Sequence, residues 1–355
     1  MKNFISKRME TVVPYKWGLQ SQDPTIIKLN TNENPYLPAP GIKKVLTDFD
    51  MSLLQKYPDP TGGGLREKLA EAYGTKACEV FLGNGSDDIL SHAFLAFFDE
   101  NDTVLVPSIS YGLYPVLADL YKVKLVNIPL MEDLSLNFSA FLTNTAPILI
   151  ANPNAPTGLF LTSMQIEKLL DKNPNQLVIL DEAYIDFAPE SMVKFVEKYK
   201  NLLVIQTSSK SRNLAGLRLG WAFGSEQLIK VLNAVRDCIN PYNVDTIAIK
   251  IGDATLSDPT YFEAITTKII ATRELFTVKL RELGFCVVSS SANFVLTSHP
   301  NICSKKLYEM LLEKKIVVRY FELAGHGKYN RISIGTDEQT DYVLKILQQI
   351  LEEEK

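Results

Sequence analysis

Lys210 lies in a part of this 355-residue chain where an amine could act as a nucleophile beside an anion. An apolar run at 202–205 precedes it and is typical of a buried strand, so the lysine follows a predicted strand end. Thr207, Ser209 and Arg218 lie three before, one before and eight after the lysine, and hydroxyls with an arginine suit a phosphate. Partial burial and nearby cations would lower the lysine pKa and make the amine nucleophilic, although a solvated loop lysine is the commoner case.

Three further segments place polar residues at the ends of predicted strands. The residues GNGSD at 83–87 lie between a strand and a helix, where backbone amides can bind phosphate, although a plain tight turn fits equally well. Tyr111 follows the strand predicted at 103–106 and could stack on a flat ligand or belong to the core. Asp181 directly follows the apolar run 178–180, and a buried carboxylate needs a partner such as a protonated ring nitrogen, unless it caps a helix. Ligands bind at the carboxyl ends of parallel strands, so these segments could form one site.

The elements that would position these residues alternate along the first two-thirds of the chain. Short apolar runs alternate with apolar-faced helices, which predicts βαβ units and a mostly parallel sheet covered by helices. From about residue 260, a long helical stretch leads into strands and helices typical of a smaller α+β domain. We therefore predict an α/β fold with a large ligand-binding domain at 31–255, a small domain at 256–355 and an N-terminal arm at 1–30 that packs with the small domain.

Composition and charge argue against several classes of function. With 46% hydrophobic and 22% charged residues and a formal net charge of -4, the chain is typical of soluble proteins and has no general attraction for nucleic acid or membranes. The four cysteines lack CxxC spacing and the three histidines form no HExxH motif, so we expect neither a disulfide framework nor a metal site. We see no signal-peptide pattern and no apolar run of about 18 residues, so we expect a cytoplasmic location.

The predicted site combines an amine, an acid, a tyrosine three positions after that acid, an aromatic plate and a phosphate cradle. A protein that binds pyridoxal phosphate supplies these same groups to its cofactor. Along nearly its whole length, the chain resembles the fold-type I pyridoxal phosphate aminotransferases. Seven motifs in order carry this resemblance: LNTNENPY at 29–36, KYPDPTGGGLREKLA at 56–70, NPNAPTG at 152–158, DEAYIDF at 181–187, SSKSRNLAGLRLG at 208–220, SANF at 291–294 and RISIGT at 331–336.

The resemblance implies a large domain with a mostly parallel sheet of the seven-stranded type and assigns catalytic roles to three residues. Lys210 would hold the cofactor covalently and move a proton between the substrate Cα and the cofactor. Asp181 would keep the pyridine nitrogen protonated, and Tyr184 would bond to the cofactor's 3-oxygen. Tyr111 would stack on the cofactor ring.

The same motifs imply how the cofactor phosphate is held and how subunits assemble. The residues expected around the phosphate are Ser86, Asp87, Thr207, Ser209 and Arg218. Tyr57 resembles a tyrosine that reaches the phosphate of the neighbouring subunit's cofactor. The resemblance therefore implies a homodimer with shared sites.

Within this family, the chain is similar to the members that act on histidinol phosphate. Arg331 matches the arginine that binds the α-carboxylate of the amino donor, and Tyr15 and Arg319 resemble residues around the substrate phosphate. Asn32 and Asn293 lie in motifs near the substrate. The implied reaction converts imidazole-acetol phosphate and glutamate into histidinol phosphate and 2-oxoglutarate. One arginine pocket can serve both substrates, because guanidinium pairs with carboxylate and phosphate alike.

One position departs from the family pattern. Most members have asparagine directly before the proline of the PTG motif, where it bonds to the cofactor's 3-oxygen, whereas this chain has Ala155. Either Asn154 takes over that bond as a cofactor-binding residue or Tyr184 makes it alone. The loss of one neutral hydrogen bond would cost roughly 0.5–1.5 kcal/mol and would not remove the cofactor.

Other functions stay open at the level of sequence. Aromatic amino-acid aminotransferases and a threonine-phosphate decarboxylase have similar motifs, and the decarboxylase would cleave Cα–CO₂ instead of Cα–H. Ser191 and Lys194 have the Ser-x-x-Lys spacing of some serine hydrolases, but the companion motifs SDN and KTG are absent. A non-catalytic descendant of the fold is disfavoured, because Lys210, Asp181 and Arg218 are all present.

Overall fold

The computed structural model describes residues 4–354, so residues 1–3 of the predicted arm and residue 355 of the predicted small domain lie outside it. The strands are β1 (Ile27–Lys28), β2 (Val80–Gly83), β3 (Thr103–Pro107), β4 (Lys124–Ile128), β5 (Ile148–Ala151), β6 (Val178–Asp181), β7 (Leu202–Thr207), β8 (Gly220–Gly224), β9 (Cys286–Val288), β10 (Phe294–Ser298), β11 (Ile316–Val317), β12 (Arg319–Leu323) and β13 (Gly327–Ser333). The α-helices are α1 (Gly41–Thr47), α2 (Gly64–Tyr73), α3 (Ser86–Phe97), α4 (Leu113–Tyr121), α5 (Phe138–Leu142), α6 (Ser163–Lys172), α7 (Glu226–Ile239), α8 (Thr246–Leu256), α9 (Pro259–Glu282), α10 (Ser304–Glu313) and α11 (Asp337–Glu353).

Seven strands form the main sheet in the order β2-β8-β7-β6-β5-β3-β4. Strand β8 is antiparallel to both of its neighbours, whereas the other pairings in this sheet are parallel. The carboxyl ends of β2, β3, β5, β6 and β7 therefore lie along one edge of the sheet. The predicted α/β fold with a mostly parallel seven-stranded sheet is confirmed.

The apolar run that precedes Lys210 forms a central strand of this sheet. Leu202 and Val204 pack into the hydrophobic cluster on one face, and Leu203 and Ile205 pack into the cluster on the other face. A strand that is covered on both faces needs apolar residues at every position, which explains the uninterrupted run. Because burial of each such side chain stabilises the fold by about 1.5–3 kcal/mol, the strand end that carries the lysine is firmly held.

The last part of the chain forms a four-stranded antiparallel sheet in the order β12-β13-β10-β9. Helices α9, α10 and α11 supply buried residues to the core beneath it. The N-terminal segment reaches the same core through Leu29, and β1 pairs in parallel with β11 through Ile27 and Ile316. The predicted domain limits at residues 30 and 255 stay a prediction.

Sequence patterns did not predict helices α5 and α8. The α8 sequence, TIAIKIGDATL, is rich in the β-branched residues that favour strands. In the structure this helix packs closely on its neighbours, since a Cβ added at Gly252 would lie 2.6 Å from Leu219 Cδ2. Tertiary packing therefore overrides the local preference. Strands β11 and β12 are separated only by residue 318 and belong to different sheets.

Within residues 4–354, no helix has both the length and the apolar character needed to cross a membrane.

Candidate active site

A cavity of about 510 Å³ opens where the carboxyl edge of the main sheet meets the four-stranded sheet. The N-terminal segment forms part of its wall through Tyr15 and Trp17. Most of the residues predicted from the sequence line this cavity: Tyr15, Asn32, Ser86, Asp87, Tyr111, Asp181, Tyr184, Thr207, Ser209, Lys210, Arg218, Arg319 and Arg331. The predicted residues that do not line it are Asn154, Asn293 and Tyr57.

Strand β7 delivers Lys210 into the cavity three residues beyond its own last residue, Thr207. The Nζ of Lys210 donates a hydrogen bond to the backbone carbonyl of Thr31, 2.9 Å away. Burial lowers the pKa of Lys210 to about 8, and the Arg331 guanidinium acts in the same direction. A neutral amine is therefore accessible near physiological pH, which is the property that a lysine nucleophile requires.

Asp181 is the last residue of β6 and is buried at the floor of the cavity. Its Oδ2 accepts a hydrogen bond from the Tyr114 hydroxyl at 2.8 Å, and its Oδ1 accepts one from the Ala183 amide at 3.2 Å. Burial raises the pKa of this carboxyl to about 6, against the effect of these two donors. Among the described residues, no cationic side chain forms an ion pair with it, so the cavity offers a carboxylate that lacks a positive partner.

Tyr114 is a site residue that sequence reasoning missed. It lies in α4, three positions after Tyr111, and its ring meets the Tyr111 ring edge-on at 5.7 Å and 88°. Tyr111 lies just before the helix and Tyr114 in its first turn, so a second tyrosine three positions after a predicted site residue is the signal that could have identified it.

Tyr184 lines the cavity, and its hydroxyl oxygen already accepts one hydrogen bond. The side-chain amide of Asn32 donates to the Tyr184 oxygen at 2.8 Å, and Asn32 is itself held by Ser333. The Tyr184 ring packs edge-on against Phe294 at 5.2 Å. Since burial raises the pKa of Tyr184, the phenol keeps its proton and can donate it to a ligand oxygen.

The neighbouring wall explains the departure at position 155. Ala155 is buried against Ala292 and Phe294 and offers no polar atom to the cavity. Asn154 points away, because it accepts from Ser110 Oγ at 2.8 Å and donates to the Ile109 carbonyl and to Thr157 Oγ1, both at 3.0 Å. This geometry does not support the predicted cofactor contact of Asn154, because both N–H groups of its side-chain amide already donate to neighbouring loop residues. On this wall of the cavity, Tyr184 is therefore the residue that can offer a hydroxyl to the cofactor.

An anion cradle lies at the amino end of α3. A helix leaves its first amides without internal acceptors, and here these include the amides of Ser86 and Asp87. The hydroxyls of Thr207 and Ser209, 2.9 Å apart, and the guanidinium of Arg218 line the same part of the cavity. These donors match the phosphate site that the sequence predicts.

Two glycines allow these elements to approach one another. Gly85 has φ 88°, and a Cβ there would lie 2.8 Å from Arg218 Nη2. A Cβ on Gly220 would lie 2.7 Å from the backbone carbon of Gly85. The strand β8 and the start of α3 can therefore meet only with glycine at position 220.

The carboxylate of Asp87 lies beside this cradle and is held by two partners. Tyr111 donates its hydroxyl to Asp87 Oδ1 at 3.0 Å, and Arg218 Nη2 lies 3.6 Å from Oδ2. A carboxylate would repel a phosphate, so Asp87 can serve an anion through its backbone amide and not through its side chain.

Two arginines from the four-stranded sheet line the same cavity as Lys210. Arg319 on β12 and Arg331 on β13 are direct cross-strand partners. The Arg331 guanidinium lies 5.1 Å from the Phe294 ring centre and 5.2 Å from that of Phe321, and it donates to the Asn30 carbonyl at 3.0 Å. Its Nε is buried without a hydrogen-bond partner among the described residues. Neither guanidinium forms an ion pair with a carboxylate of residues 4–354, so the pair is suited to an anionic ligand.

The two other predicted residues lie outside the cavity for different reasons. Asn293 is fully buried and donates to the Asn32 carbonyl at 2.9 Å, so it supports the Asn32 loop. Tyr57 is 80% exposed and stacks on Tyr242, with ring centres 4.5 Å apart. The Tyr57 side chain therefore does not line the cavity of its own chain.

Comparison with known proteins agrees with this fold and site. Residues 24–347 match the sequence profile of the family described as aminotransferase class I and II. The chain is 44% identical to a histidinol-phosphate aminotransferase of Brachyspira hyodysenteriae, covering 99% of both sequences. It is also 44% identical to the enzyme of that name from Lactococcus lactis subsp. cremoris (strain SK11), covering 97% of this chain and 96% of the relative.

Solved structures show the same fold at lower sequence identity. The histidinol-phosphate aminotransferase from Sinorhizobium meliloti, in complex with pyridoxal-5'-phosphate, has a TM-score of 0.84 at 21% identity and covers 92% of this chain and 91% of its own. The L-threonine-O-3-phosphate decarboxylase from Porphyromonas gingivalis has a TM-score of 0.78 at 23% identity and covers 92% of this chain and 100% of its own. The fold alone therefore does not separate the two reactions.

The chain belongs to the class I and II aminotransferase family, which confirms the resemblance inferred from its motifs. Within that family, the two relatives named above, each matching nearly the whole chain, are histidinol-phosphate aminotransferases.

Proposed function

We propose that this protein is a pyridoxal phosphate-dependent aminotransferase of histidine biosynthesis that interconverts histidinol phosphate and 2-oxoglutarate with imidazole-acetol phosphate and glutamate. The observation that carries the proposal is the placement of Lys210, with its lowered pKa, in one cavity with the arginine pair Arg319–Arg331. Full-length similarity to histidinol-phosphate aminotransferases supports the choice of substrate. The four free cysteines fit a reducing compartment, and we propose the cytoplasm.

The residues present fit the cofactor at each of its polar groups. Lys210 would hold it covalently, Asp181 would face the ring nitrogen and Tyr184 the 3-oxygen, with Tyr111 against the ring. The residues proposed around its phosphate are the amides of Ser86 and Asp87 and the side chains of Thr207, Ser209 and Arg218. When bound, the cofactor supplies an electron sink for the charge that develops at the substrate Cα.

The side chains of this chain would bind the substrate and move its proton. Lys210 Nζ, once released from its covalent role, would accept the proton that leaves the substrate Cα, and the lowered pKa of this lysine in the free protein favours the neutral amine that a general base needs. Arg331 and Arg319 hold the substrate anion and fix the orientation of Cα relative to that amine. The aromatic rings of Phe321 and Phe294 exclude water around the Arg331 guanidinium and strengthen its contacts with an anion.

The two arginines explain how one pocket admits two different substrates in turn. The anionic group of histidinol phosphate is a phosphate, and it has no α-carboxylate. The anionic groups of glutamate are both carboxylates. A guanidinium presents parallel donors that pair with either anion, so the same two side chains can serve both halves of the reaction.

We also propose that the enzyme is a homodimer in which Tyr57 completes the partner's site. The exposed stack of Tyr57 on Tyr242 lies outside the cavity of its own chain. Apolar side chains close in sequence to Tyr57 (Met51 and Leu54) and to Tyr242 (Ile239) are also exposed, by 69%, 52% and 56%. Exposed apolar residues in this number support a subunit interface.

A half-reaction assay tests the proposed function. The purified holoenzyme is mixed separately with histidinol phosphate, phenylalanine and threonine phosphate, and the cofactor spectrum and released CO₂ are recorded. We expect the fastest spectral conversion with histidinol phosphate and no CO₂ with any of them. Preference for phenylalanine would replace the proposal with an aromatic aminotransferase, and CO₂ from threonine phosphate would replace it with a decarboxylase.

A further inference from the structure

A tyrosine outside the predicted set holds the carboxylate at the cavity floor. Tyr114 and Asp181 are 1% and 4% exposed, and the tyrosine hydroxyl donates to Asp181 Oδ2 at 2.8 Å. The other oxygen of the carboxylate receives the longer bond from the Ala183 amide. The hydrogen bond from the Tyr114 hydroxyl is therefore the shorter of the two that orient this carboxylate.

The position of Tyr114 follows from the start of α4. Tyr111 lies two positions before the first residue of α4 and Tyr114 is the second residue of that helix, and their rings meet at nearly a right angle. Each hydroxyl donates to a different cavity carboxylate, Tyr111 to Asp87 and Tyr114 to Asp181. One helix end thus fixes the carboxylate near the anion cradle and the carboxylate at the cavity floor.

We propose that Tyr114 is a positioning residue that keeps Asp181 ionised and aimed at the ring nitrogen of the cofactor. This inference rests on the proposed cofactor-dependent function. It adds a residue that acts through Asp181 and touches neither substrate nor cofactor.

The electrostatics around Asp181 explain why a donor is needed there. Burial favours the neutral acid, and the Asp87 carboxylate also disfavours a second negative charge nearby. Lys210 favours the ionised form, and the Tyr184 phenol also faces this carboxylate. The hydrogen bond from Tyr114 is the largest effect that opposes burial. Burial and the Asp181 carboxylate raise the pKa of Tyr114 well above its ordinary value, so this tyrosine remains a donor at every working pH.

The variant Tyr114→Phe removes the donor and keeps the ring. Without the donor, the carboxylate should take the proton from the ring nitrogen in a larger fraction of molecules. We expect kcat to fall about 10-fold to 100-fold, the effect typical of losing a hydrogen bond to a charged group. Tyr121→Phe is the matched control, because it removes a hydroxyl from the same helix whose partner is Ser91 Oγ, away from the cavity.

The decisive readout is the ¹⁵N chemical shift of enzyme loaded with ring-¹⁵N-labelled pyridoxal phosphate. Tyr114→Phe should move this signal toward the value of unprotonated pyridine, and Tyr121→Phe should leave it at the wild-type value. A wild-type ¹⁵N signal and a kcat within about twofold of wild type in Tyr114→Phe would overturn the inference.

The double variant Tyr114→Phe/Asp181→Asn separates a positioning role from a structural one. If the tyrosine acts through the charge of Asp181, Tyr114→Phe should have almost no further effect in the Asp181→Asn background. If Tyr114→Phe fails to fold and the double variant folds, the coupling between hydroxyl and carboxylate is supported. If neither folds, the tyrosine is structural and the inference is rejected.

This readout does not depend on the substrate. The ¹⁵N signal requires only bound cofactor, so it can be measured even if histidinol phosphate proves not to be the substrate. A wild-type protein that does not bind the cofactor would instead contradict the proposed function.

Discussion

Arg319 and Arg331 occupy directly opposite positions on the antiparallel strands β12 and β13, so two cations face each other at the cavity wall. Like charges at opposite positions of a sheet destabilise it by roughly 0.2–1 kcal/mol. Burial, together with Arg319, also lowers the pKa of Arg331. An arrangement that is unfavourable in the free protein would become favourable if the proposed substrate anion binds between the two guanidinium groups.

This pair predicts a trade-off between stability and binding. Arg319→Met should raise the free energy of unfolding of the cofactor-free protein by roughly 0.2–1 kcal/mol, because it removes the like-charge contact and keeps an apolar stem beside Phe321. The same change should raise KM for histidinol phosphate about tenfold or more. Urea unfolding and steady-state kinetics measure the two effects.

Lys328→Met is the control for this experiment, because Lys328 is an exposed cation on the neighbouring strand β13 that pairs with Glu322 of β12. It should leave KM unchanged. Lower stability of Arg319→Met with an unchanged KM would show that Arg319 serves folding and not substrate binding.

The lowered pKa of Lys210 predicts a pH dependence for cofactor attachment. Burial favours the neutral amine, so the folded-state pKa lies near 8 instead of 10.5. The rate of attachment to cofactor-free protein should rise about tenfold per pH unit below the pKa and level off above it. Arg331→Met should move the midpoint upward, because it removes a cation that lowers this pKa.

The same shift has a defined sign in the pH dependence of stability. The unfolded chain binds a proton at Lys210 that the folded protein lacks between pH 8 and 10.5, so the free energy of unfolding should rise with pH across this window. The difference between wild type and Lys210→Met in urea unfolding isolates this contribution from other titrating groups. An equal pH dependence in the two proteins would show that folding does not lower the pKa of Lys210.

Tyr184 should carry more of the cofactor contact here than in family members with asparagine before the PTG proline. Tyr184→Phe should weaken cofactor binding and lower kcat, each about tenfold, because no side chain at position 155 can replace the lost donor. Ala155→Asn should recover part of this loss in the Tyr184→Phe background, since the missing hydroxyl also leaves room for the larger side chain.

Equilibrium binding of the cofactor and kcat are the measurements for Tyr184. Tyr320→Phe is a suitable control, because its hydroxyl bonds to Glu322 outside the cavity. If Tyr184→Phe keeps wild-type affinity and rate, the hydroxyl does not contact the cofactor.

Mixed dimers test whether Tyr57 acts across the subunit interface. Lys210→Ala and Tyr57→Ala should each lose activity when pure. In a heterodimer of the two, one site contains both defects and the other contains neither if Tyr57 serves the partner's site. Co-refolding equal amounts should then restore about a quarter of wild-type activity, because half of the dimers are mixed and each has one intact site.

The same experiment can give the opposite answer. If Tyr57 serves the site of its own chain, every site in the mixed dimer has a defect and no activity returns. Size-exclusion chromatography with light scattering provides the control for dimer formation in both variants.

Much of the cavity could be predicted from the sequence, because strand ends are local features. Asp181 and Lys210 follow apolar runs that are buried on both faces of the sheet, and parallel strands bring such ends to one edge. The roles of Arg319 and Arg331 came from similarity to a family, since nothing in their spacing indicates that they are cross-strand partners.

The contacts that orient the site residues could not be predicted, because they join distant parts of the chain. Asn32 bonds to Tyr184 across 152 positions, and Tyr114 bonds to Asp181 across 67. For Asn154, the sequence left two alternatives open, and its hydrogen bonds to Ser110, Ile109 and Thr157 favour the one in which Tyr184 alone bonds to the cofactor's 3-oxygen. Only three-dimensional packing decides which acceptor such an amide finds.

Because Lys210 donates its hydrogen bond to the Thr31 carbonyl, the group left without a partner when the amine turns to a ligand is a neutral backbone oxygen. A carboxylate in that place would hold the ammonium more strongly, but it would be stranded as a buried, unpaired charge each time the lysine turned to a ligand. A peptide carbonyl is neutral, and its loss of one partner costs far less. The contact is thus strong enough to order the side chain in the cofactor-free protein and weak enough to be given up when the amine attaches to a ligand.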